Sequence, residues 1–387
     1  MPKEIYLDYA AATPPDPRVV RAMDRTLRLS GNPSSFNDAG RRAAKALESA
    51  RSDVANFLNA RPGEIVFCSS GSEANTLAIL GAARAQGRGG HIVTTPIEHL
   101  SVLAPVSRLV AEGFSVSFTP VDAQGIVREQ DVIGAMNKKT VLVSVMYANN
   151  EIGSIQPIVR IGRAIANWRR AHRSVYPLFH VDACQATAYL DMDVQRLGAD
   201  LLTLNGAKVY GPHGSAALFV RRGVAVAPIV LGGSQEGGRR AGTEDIPSAV
   251  GLATALSLVK KSDSIDVSKL RDRLVEGILT AIPDVRLNGP RGAGRLANNV
   301  NISIPGADSE NLLLELDRHG IRAGSGSACT AHSVEPSHVL RAIQTPKRYL
   351  DGVLRFSLGR DTTRTDIDRV IRVLPSVVQR VRARRLR

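Results

Sequence analysis

From Glu64 onward, short and almost entirely apolar runs alternate with longer stretches in which apolar residues recur at helical spacing. Short apolar runs bounded by turn residues are typical of buried strands, and the stretches between them predict amphipathic helices. The seven predicted strands read EIVFC, HIVTT, SVSFTP, TVLVSVM, PLFHVD, DLLTL and GSAALFV. Strands that are apolar on both faces predict an α/β fold in which helices cover both sides of a mainly parallel, seven-stranded sheet. Ligands of such sheets bind beyond the carboxyl ends of the strands.

The two ends of the chain follow a different pattern. A short strand, IYL, and a Pro-rich turn come first, and the alternation stops after a helix from Ile246 to about Lys261. The elements predicted after it are a helix KLRDRLVEGILTAI, a strand NNVNISI, a helix SENLLLELDRHG, a strand VLRFSL and a last helix that starts at TDIDRV. We therefore predict a large domain over residues 15–258 and a small α+β domain that combines residues 1–14 with 259–387.

Composition and charge narrow the function classes. The net charge is +14, yet aromatic residues make up only 4% of the chain, so the stacking platforms of single-strand nucleic-acid binders are scarce. We interpret the charge first as a solvated surface, second as a dock for an acidic partner and third as a nucleic-acid site. No apolar run is long enough for a signal peptide or a membrane span, which favours a cytoplasmic protein.

Asp182 and Lys208 are the first candidates for chemistry. Asp182 ends the strand FHVD, and Lys208 follows the strand DLLTL by a few residues. A carboxylate and a lysine at strand ends suit pyridoxal phosphate, which needs an amine for a Schiff base and an acid partner for its pyridine nitrogen. The alternatives are a turn-forming aspartate and a solvated lysine.

Other polar residues are expected at the same edge of the sheet. The loop SSGSEAN places Gly71 and Ser72 where backbone N–H groups bind an anion, although Ser72 as a plain helix N-cap is the alternative. His99 follows the strand HIVTT and suits stacking and proton transfer, or is merely structural. Asn150, in NNEIG, could bond a phenolic oxygen or a carboxylate, or form a turn. Thr243 suits a phosphate or a helix cap.

Arg355 and the three cysteines complete the candidates. Arg355 lies in a half-buried strand, where its guanidinium suits a substrate carboxylate or a buried ion pair. The cysteines are too few and too scattered for a disulfide framework or a zinc site, so no metal is expected. Cys68 and Cys184 read as packing residues, whereas Cys329 lies in the small, flexible run GSGSACTAHS.

With these residues in view, the chain resembles the NifS/IscS-type cysteine desulfurases, which are fold-type I pyridoxal-phosphate enzymes of the aminotransferase class V family. The resemblance covers nearly the whole length. The motifs that carry it are IYLDYAAATP, GNPSS, HIVTTPIEHLSVL, NNEIGSIQPI, HVDACQA, KVYGPHG, RRAGTE, SGSACTAHSVEPSHVLRAI and RFSLGR.

The resemblance implies a role for each candidate around the cofactor ring and the substrate. Lys208 would form the Schiff base, Asp182 would face the pyridine nitrogen and Gln185 would contact the phenolic oxygen. His99 would stack on the ring and relay protons. The substrate carboxylate would be held by Asn150 and Arg355.

The resemblance also implies the phosphate contacts and the sulfur carrier. Gly71 and Ser72 would bind the phosphate, with Thr243 supplied by the second subunit of a homodimer. Cys329 would attack the sulfur of L-cysteine, carry it as a persulfide and release alanine, for iron–sulfur cluster assembly or tRNA thiolation. The alternatives are a selenocysteine lyase, another class V lyase or aminotransferase, and a non-enzymatic basic scaffold or nucleic-acid binder.

Two departures from the family affect these expectations. Where the family usually shows SGHK, this chain has Asn205-Gly206-Ala207-Lys208; Asn205 can still donate to the phosphate, but Ala207 cannot, which predicts weaker cofactor binding. Many members of the family carry a further C-terminal tail that docks the scaffold protein, whereas this chain stops soon after its last helix. Its basic terminus from Arg382 to Arg387 is predicted to dock an acidic sulfur acceptor instead.

Overall fold

The computed structural model describes residues 4–87, 89–326 and 336–385. Within them, the strands are β1 Ile5–Tyr6, β2 Ile65–Cys68, β3 His91–Thr94, β4 Ser115–Phe118, β5 Thr140–Ser144, β6 Leu178–Asp182, β7 Leu201–Asn205, β8 Ala216–Val220, β9 Arg286–Leu287, β10 Asn299–Ser303, β11 Ile321–Arg322 and β12 Val353–Ser357.

The α-helices of the described residues alternate with these strands through the first two thirds of the chain. They are α1 Pro17–Leu27, α2 Asp38–Phe57, α3 Gly71–Thr76, α4 Ala82–Arg84, α5 Leu100–Ala111, α6 Glu129–Ala135, α7 Ile158–His172, α8 Val194–Leu197, α9 Ile246–Ser257, α10 Lys261–Ala281, α11 Ser309–Arg318, α12 His338–Ala342 and α13 Arg364–Arg385.

The predicted seven-stranded sheet is present. Its strand order is β2-β8-β7-β6-β5-β3-β4. Every neighbouring pair is parallel except the two pairs that β8 makes with β2 and β7, which are antiparallel. The carboxyl ends of the parallel strands therefore lie on one edge of the sheet, where loops from distant parts of the sequence meet.

Helices cover both faces of this sheet, as the apolar strands predict. One face packs a core that includes Phe179 and Phe219, and the other packs a second core that includes Leu142 and Leu218. All four side chains are completely buried. Each contributes about 1.5–3 kcal/mol to folding relative to an exposed side chain.

The remaining strands form two smaller sheets. The strands β9, β10 and β12 make an antiparallel sheet in the order β12-β10-β9, and β1 pairs in parallel with β11. A separate apolar core that contains Phe356 packs β10 and β12 against α10, α11 and α13. The pairing of β1 with β11 joins the start of the chain to its last third; the domain boundaries given above stay a prediction.

One predicted helix starts at a different residue. The pattern placed its start near Lys269, but α10 begins at Lys261. The first two turns, KSDSID, are polar and mostly exposed, and Val267 is the first residue of this helix that is buried. Hydrophobic periodicity cannot detect turns that bury no apolar side chain. The predicted start therefore missed the two exposed turns and also the buried Val267.

None of the helices in the described ranges combines the length and the apolar content needed to cross a membrane.

Candidate active site

A cavity of about 270 Å³ lies at the carboxyl edge of the large sheet. The loops after β2, β3, β5 and β7, the end of β6 and the strand β12 of the small sheet all contribute to its wall. Nine residues that the sequence singled out line this one cavity: Gly71, Ser72, His99, Asn150, Asp182, Gln185, Asn205, Lys208 and Arg355.

Asp182 is the buried acid of the cavity. It is 5% exposed and terminates β6, which is why its carboxylate reaches the sheet edge. Its Oδ2 accepts a hydrogen bond from Asn75 Nδ2 at 2.8 Å, and its Oδ1 accepts one from the backbone N–H of Cys184 at 3.0 Å. These two donors fix the orientation of the carboxyl group.

His99 is held by its Nδ1 atom. The residue is the N-cap of α5, and Nδ1 accepts from the backbone N–H of Ser101 at 3.1 Å and contacts Ser101 Oγ at 2.7 Å. Since Nδ1 accepts, the neutral ring carries its proton on Nε2. Burial lowers the pKa of His99, and the nearby Lys208 lowers it further against the opposing effect of Asp182. The ring is therefore neutral near pH 7.

A hydrogen-bond chain connects His99 with Asp182. Asn75 Nδ2 donates to Asp182 and also to Ser101 Oγ at 2.8 Å, and the Ser101 hydroxyl is then free to donate to His99 Nδ1. Neither Asn75 nor Ser101 was identified from the sequence. The available signal is the spacing of Asn75 four residues after Gly71, which places both on one side of a helix that starts at the cavity.

Lys208 lies in a 3₁₀ turn, Gly206–Lys208, directly after β7. Asn205 caps this turn by accepting from the Ala207 N–H at 3.0 Å. The Lys208 amine donates to the carbonyl oxygens of Ala10 at 2.9 Å and Ala11 at 2.5 Å. Gln185 Nε2 donates to the same Ala10 oxygen at 2.9 Å, so the segment after β1 holds both side chains at the cavity.

At the anion-binding end of the cavity, the helix cap is not the residue that the sequence suggested. The N-cap of α3 is Ser70, whose hydroxyl accepts from the Glu73 N–H at 3.1 Å, so the alternative that Ser72 is the cap is wrong. Ser72 is exposed in the first turn. Gly71 has no side chain for a steric reason: a Cβ there would lie 3.0 Å from Cys184 Sγ and 3.1 Å from Asn205 Nδ2.

Thr243 does not line this cavity. It is exposed and lies in the wall of a separate surface cavity beside Arg240 and Cys68. The N-cap of α9 is Asp245, which accepts from the Ser248 N–H, so the alternative that Thr243 caps this helix is also wrong. Its predicted contribution to the phosphate site of a second subunit stays a prediction.

Arg355 makes the ion pair that the sequence left open. It is 2% exposed, and its Nη2 donates to Asp8 Oδ1 at 2.8 Å. Its Nη1 donates to the carbonyl oxygens of Asn150 at 3.0 Å and Gly326 at 3.3 Å. Its Nε is buried and has no hydrogen-bond partner among the described residues. The ion pair therefore leaves the Nε–H of the guanidinium available to a ligand.

Two of the three cysteines lie within the described residues: Cys68 is buried, and Cys184 is half-buried in the wall of the cavity. Burial raises the pKa of Cys68 and of Cys184, so neither thiol readily forms a thiolate. Cys329 lies outside the described residues. Among the residues that the structure describes, no group of three or more His, Cys, Asp and Glu side chains is placed to hold a metal ion.

The wall of the cavity fits pyridoxal phosphate. Two of its polar atoms, Asn75 Oδ1 and Arg355 Nε, are buried without a hydrogen-bond partner within the described ranges, as expected for a wall that a polar ligand completes. The donor set also fits. Lys208 supplies the amine, Asp182 the acid for a pyridine nitrogen, and the Gly71–Ser72 backbone the donors for an anion.

Comparisons with known proteins agree with the geometry. The family model described as aminotransferase class-V matches residues 5–370. A cysteine desulfurase IscS of Clostridium botulinum (strain Kyoto / Type A2) is 43% identical over 388 residues, which cover 99% of this chain and 96% of that protein. A solved NifS-like protein superposes with a TM-score of 0.89 at 30% identity, covering 97% of this chain and all of that one. The structure of SspA in complex with cysteine has a TM-score of 0.80 at 32% identity, with 93% of this chain and 100% of that chain covered.

Proposed function

Because the chain belongs to the class-V aminotransferase family, and within it to the NifS/IscS-type cysteine desulfurases, we propose that its cavity binds pyridoxal phosphate and L-cysteine and that Cys329 receives the sulfur. The observation that carries the proposal is the meeting of Asp182, Lys208, His99 and Arg355 in one cavity. These four side chains come from three strands of the large sheet, or the loops after them, and from one strand of the small sheet.

The proposal gives each side chain at the cofactor site a defined role. Pyridoxal phosphate, when bound, supplies an electron sink next to the substrate α-carbon. Asp182 would orient the pyridine nitrogen, and the Lys208 amine would hold the resting cofactor and, once released from it, would remove the α-proton of the substrate. His99 packs on the ring and presents its Nε2–H, because Nδ1 is engaged with Ser101. Gly71, Ser72 and Asn205 bind the phosphate, and Gln185 bonds the phenolic oxygen.

Arg355 and Asn150 position the substrate. The α-carboxylate of cysteine needs a positive partner, and Arg355 keeps its Nε available while Asp8 fixes the other end of the guanidinium. Asp8 has a second consequence, since its negative charge near the carboxylate site disfavours a substrate with an additional acidic group there. The site therefore suits a small amino acid with a single carboxylate.

The sulfur transfer balances without any further reactant. The Cys329 thiolate attacks the substrate sulfur and forms an S–S bond, while the Cβ–S bond breaks and its electron pair stays with carbon. That carbon gains a proton and becomes the methyl group of alanine. The enzyme is left with a persulfide on Cys329, which is a sulfur atom ready for transfer to an acceptor.

We also propose that the protein is a cytoplasmic homodimer that passes sulfur to an acceptor in iron–sulfur cluster assembly or tRNA thiolation. The basic terminus is only partly available for such an acceptor. Arg384 donates to Glu315 at 2.8 Å, and Arg382 donates to the carbonyl oxygen of Pro305 at 3.0 Å. Removal of residues 382–387 would therefore disturb the packing of α13 as well as any docking surface.

The proposal predicts that the purified protein, given pyridoxal phosphate and a thiol reductant, releases alanine from L-cysteine in step with sulfide. Alanine measured by chromatography and sulfide measured by methylene blue formation should rise together. A protein that binds the cofactor, as judged by its absorbance, and forms no alanine would contradict the proposed reaction.

A second prediction concerns the turn before Lys208. Ala207 offers no side-chain donor, and its backbone is already held by Asn205 and by Thr13, whose N–H donates to the Ala207 oxygen at 2.8 Å. A histidine at this position should restore one hydrogen bond to the phosphate, worth about 1.5–3 kcal/mol, and so tighten cofactor binding about tenfold or more. Titration of the apo-protein with pyridoxal phosphate measures this change.

The control for this prediction is Ala207→Leu, which adds bulk without a donor and should not improve binding. Equal or weaker affinity in Ala207→His than in the parent would show that this chain does not lack a phosphate contact there.

A further inference from the structure

The candidate for a further role is Glu151, the acid of the motif NNEIG. It is 2% exposed, and hydrogen bonds from both sides hold its backbone in place. Its N–H donates to Asn149 Oδ1 at 2.9 Å, and its carbonyl oxygen accepts from Asn299 Nδ2 at 2.9 Å and from Asn301 Nδ2 at 3.1 Å. The side chain therefore starts from a rigid point beside the cavity, whose wall includes Glu151 itself.

The carboxylate of Glu151 holds the chain where it emerges from residues 327–335. Ser337 Oγ donates to Glu151 Oε2 at 2.5 Å. The same hydroxyl oxygen is the N-cap of α12, since it accepts from the N–H groups of Val339 at 3.1 Å and Leu340 at 3.3 Å. His338 adds a second attachment through its ring Nε2, which lies 2.9 Å from the carbonyl oxygen of Glu98.

Glu151 also lies against the chain where it enters residues 327–335. Gly326 has a φ of +99°, and a Cβ at this position would lie 3.5 Å from Glu151 Oε2 and 3.3 Å from Asn301 Nδ2. The positive φ favours glycine here, and the carboxylate of Glu151 is a van der Waals neighbour of this position. One carboxylate oxygen is in consequence near both ends of the segment that carries Cys329.

Arg355 connects this arrangement with the proposed substrate site. Its Nη1 donates to the Gly326 carbonyl oxygen, and the same guanidinium is the proposed partner of the substrate carboxylate. Burial raises the pKa of Glu151, and the positive charge of Arg355 acts in the opposite direction. Contacts among Glu151, Ser337 and Arg355 therefore connect both ends of the segment to the proposed substrate site.

We propose that Glu151 is a positioning residue for sulfur transfer: through Ser337 and Gly326 it fixes both ends of the segment that carries Cys329 relative to the substrate bound at Arg355. The inference rests on the proposed function. It identifies a residue whose role is to place the attacking thiol, and not to bind cofactor or move the α-proton. A displacement of about 1 Å in such a reaction can cost as much as a hundredfold in rate.

A purely structural role would predict a different pattern of defects. Packing alone does not require a carboxylate, because burial raises the pKa of Glu151 and a neutral side chain of the same shape would avoid that cost. If the acid only supported the cavity, its loss would slow every reaction there. If it positions Cys329, its loss slows only reactions that need the thiol.

The test compares two substrates in the holoenzyme. Alanine formation from L-cysteine needs Cys329, whereas pyruvate formation from β-chloro-L-alanine does not, because chloride leaves carbon with the bonding pair and no thiol is required. Glu151→Ala and Ser337→Ala should each lower kcat for L-cysteine about ten- to a hundredfold and leave the β-chloro-L-alanine rate within about twofold of the parent. The double variant should be no worse than Glu151→Ala alone, because the two residues act as one unit. Glu151→Gln, which keeps an acceptor oxygen for Ser337, should retain part of the activity.

A readout without cofactor completes the test. In the apo-protein, alkylation of Cys329 by iodoacetamide, followed by mass spectrometry, should be at least about threefold faster in Glu151→Ala and Ser337→Ala than in the parent, because the ends of the segment are no longer fixed. Ser309→Ala is the matched control, since it removes a buried-strand contact to Val353 and does not touch Glu151.

Equal losses on both substrates, additive effects in the double variant, or unchanged alkylation rates would each overturn the positioning role. Ser337→Ala removes one hydroxyl of a half-buried residue and leaves the buried Glu151 in place, so the test remains decisive if Glu151→Ala does not fold. Failure of the proposed function is seen separately, as a parent enzyme that forms pyruvate from β-chloro-L-alanine and no alanine from L-cysteine.

Discussion

Replacement of Cys329 with alanine is expected to abolish alanine formation from L-cysteine, by at least about a hundredfold in kcat. Without the thiolate there is no acceptor for the sulfur, and the Cβ–S bond cannot break by the proposed route. Cofactor binding and α-proton removal need other residues, so the variant should still convert β-chloro-L-alanine to pyruvate at a rate within about twofold of the parent. Both products are measured on the same preparation.

Cys68→Ala is the matched control for this variant. Its thiol is buried at the end of β2, and burial raises its pKa, so its removal should leave desulfuration unchanged. Alanine formation that survives Cys329→Ala would favour a selenocysteine lyase or another class V lyase or aminotransferase over a cysteine desulfurase. Loss of both reactions in Cys329→Ala would point to a defect in cofactor binding.

The large sheet was predictable because most of its strands are buried on both faces. In β3, β6 and β7 almost every residue is buried and more than half are apolar, so a short, mainly apolar run between polar loops carried the signal. The start of α10 was not predictable, since its first turns bury no apolar residue. The short helices α8 and α12 were missed for a related reason, because a helix of one turn has no periodicity to recognise.

The main residues of the cavity were predictable because each follows a strand of a parallel sheet. Asp182, His99 and Lys208 lie far apart in sequence, and their convergence follows from the strand order alone. The residues that orient them were not predictable in this way. Asn75 and Ser101 act through hydrogen bonds between two helices, and nothing in the pattern of either helix indicates the pairing.

Helix caps show the same limit on a smaller scale. The sequence offered Ser72 as a possible cap for α3, whereas the backbone conformation selects Ser70, which is extended at φ −162° and ψ 160°. The selection matters for function, because it leaves the Ser72 hydroxyl exposed in the first turn and available for a phosphate.

The basic composition also acquires a structural meaning. Several arginines form ion pairs inside the fold. In the buried pair of Arg51 with Glu236, two guanidinium nitrogens donate to the two carboxylate oxygens at 2.7 and 2.9 Å. At the end of the chain, Arg380 and Arg384 both lie within ion-pair distance of Glu315. The net charge of +14 already subtracts the carboxylates of these pairs, so the pairs leave the excess positive charge unchanged and show only which arginines are already engaged within the fold.

Replacement of Lys208 with alanine is expected to abolish both reactions, by about a thousandfold or more, and this separates its role from those of Cys329 and Glu151. The proposed role needs an amine that bonds the cofactor and removes the α-proton, and both substrates require that step. Lys208→Arg should be equally inactive although it keeps the positive charge, because a guanidinium does not lose its proton in a protein.

The control is Lys269→Ala, whose amine is exposed and pairs only with Asp266 among the contacts in the described ranges. Treatment with borohydride followed by denaturation should leave the mass of the cofactor on the parent and on Lys269→Ala, and not on either Lys208 variant. Residual pyruvate formation from β-chloro-L-alanine above about one percent of the parent rate in Lys208→Ala would mean that another group removes the α-proton.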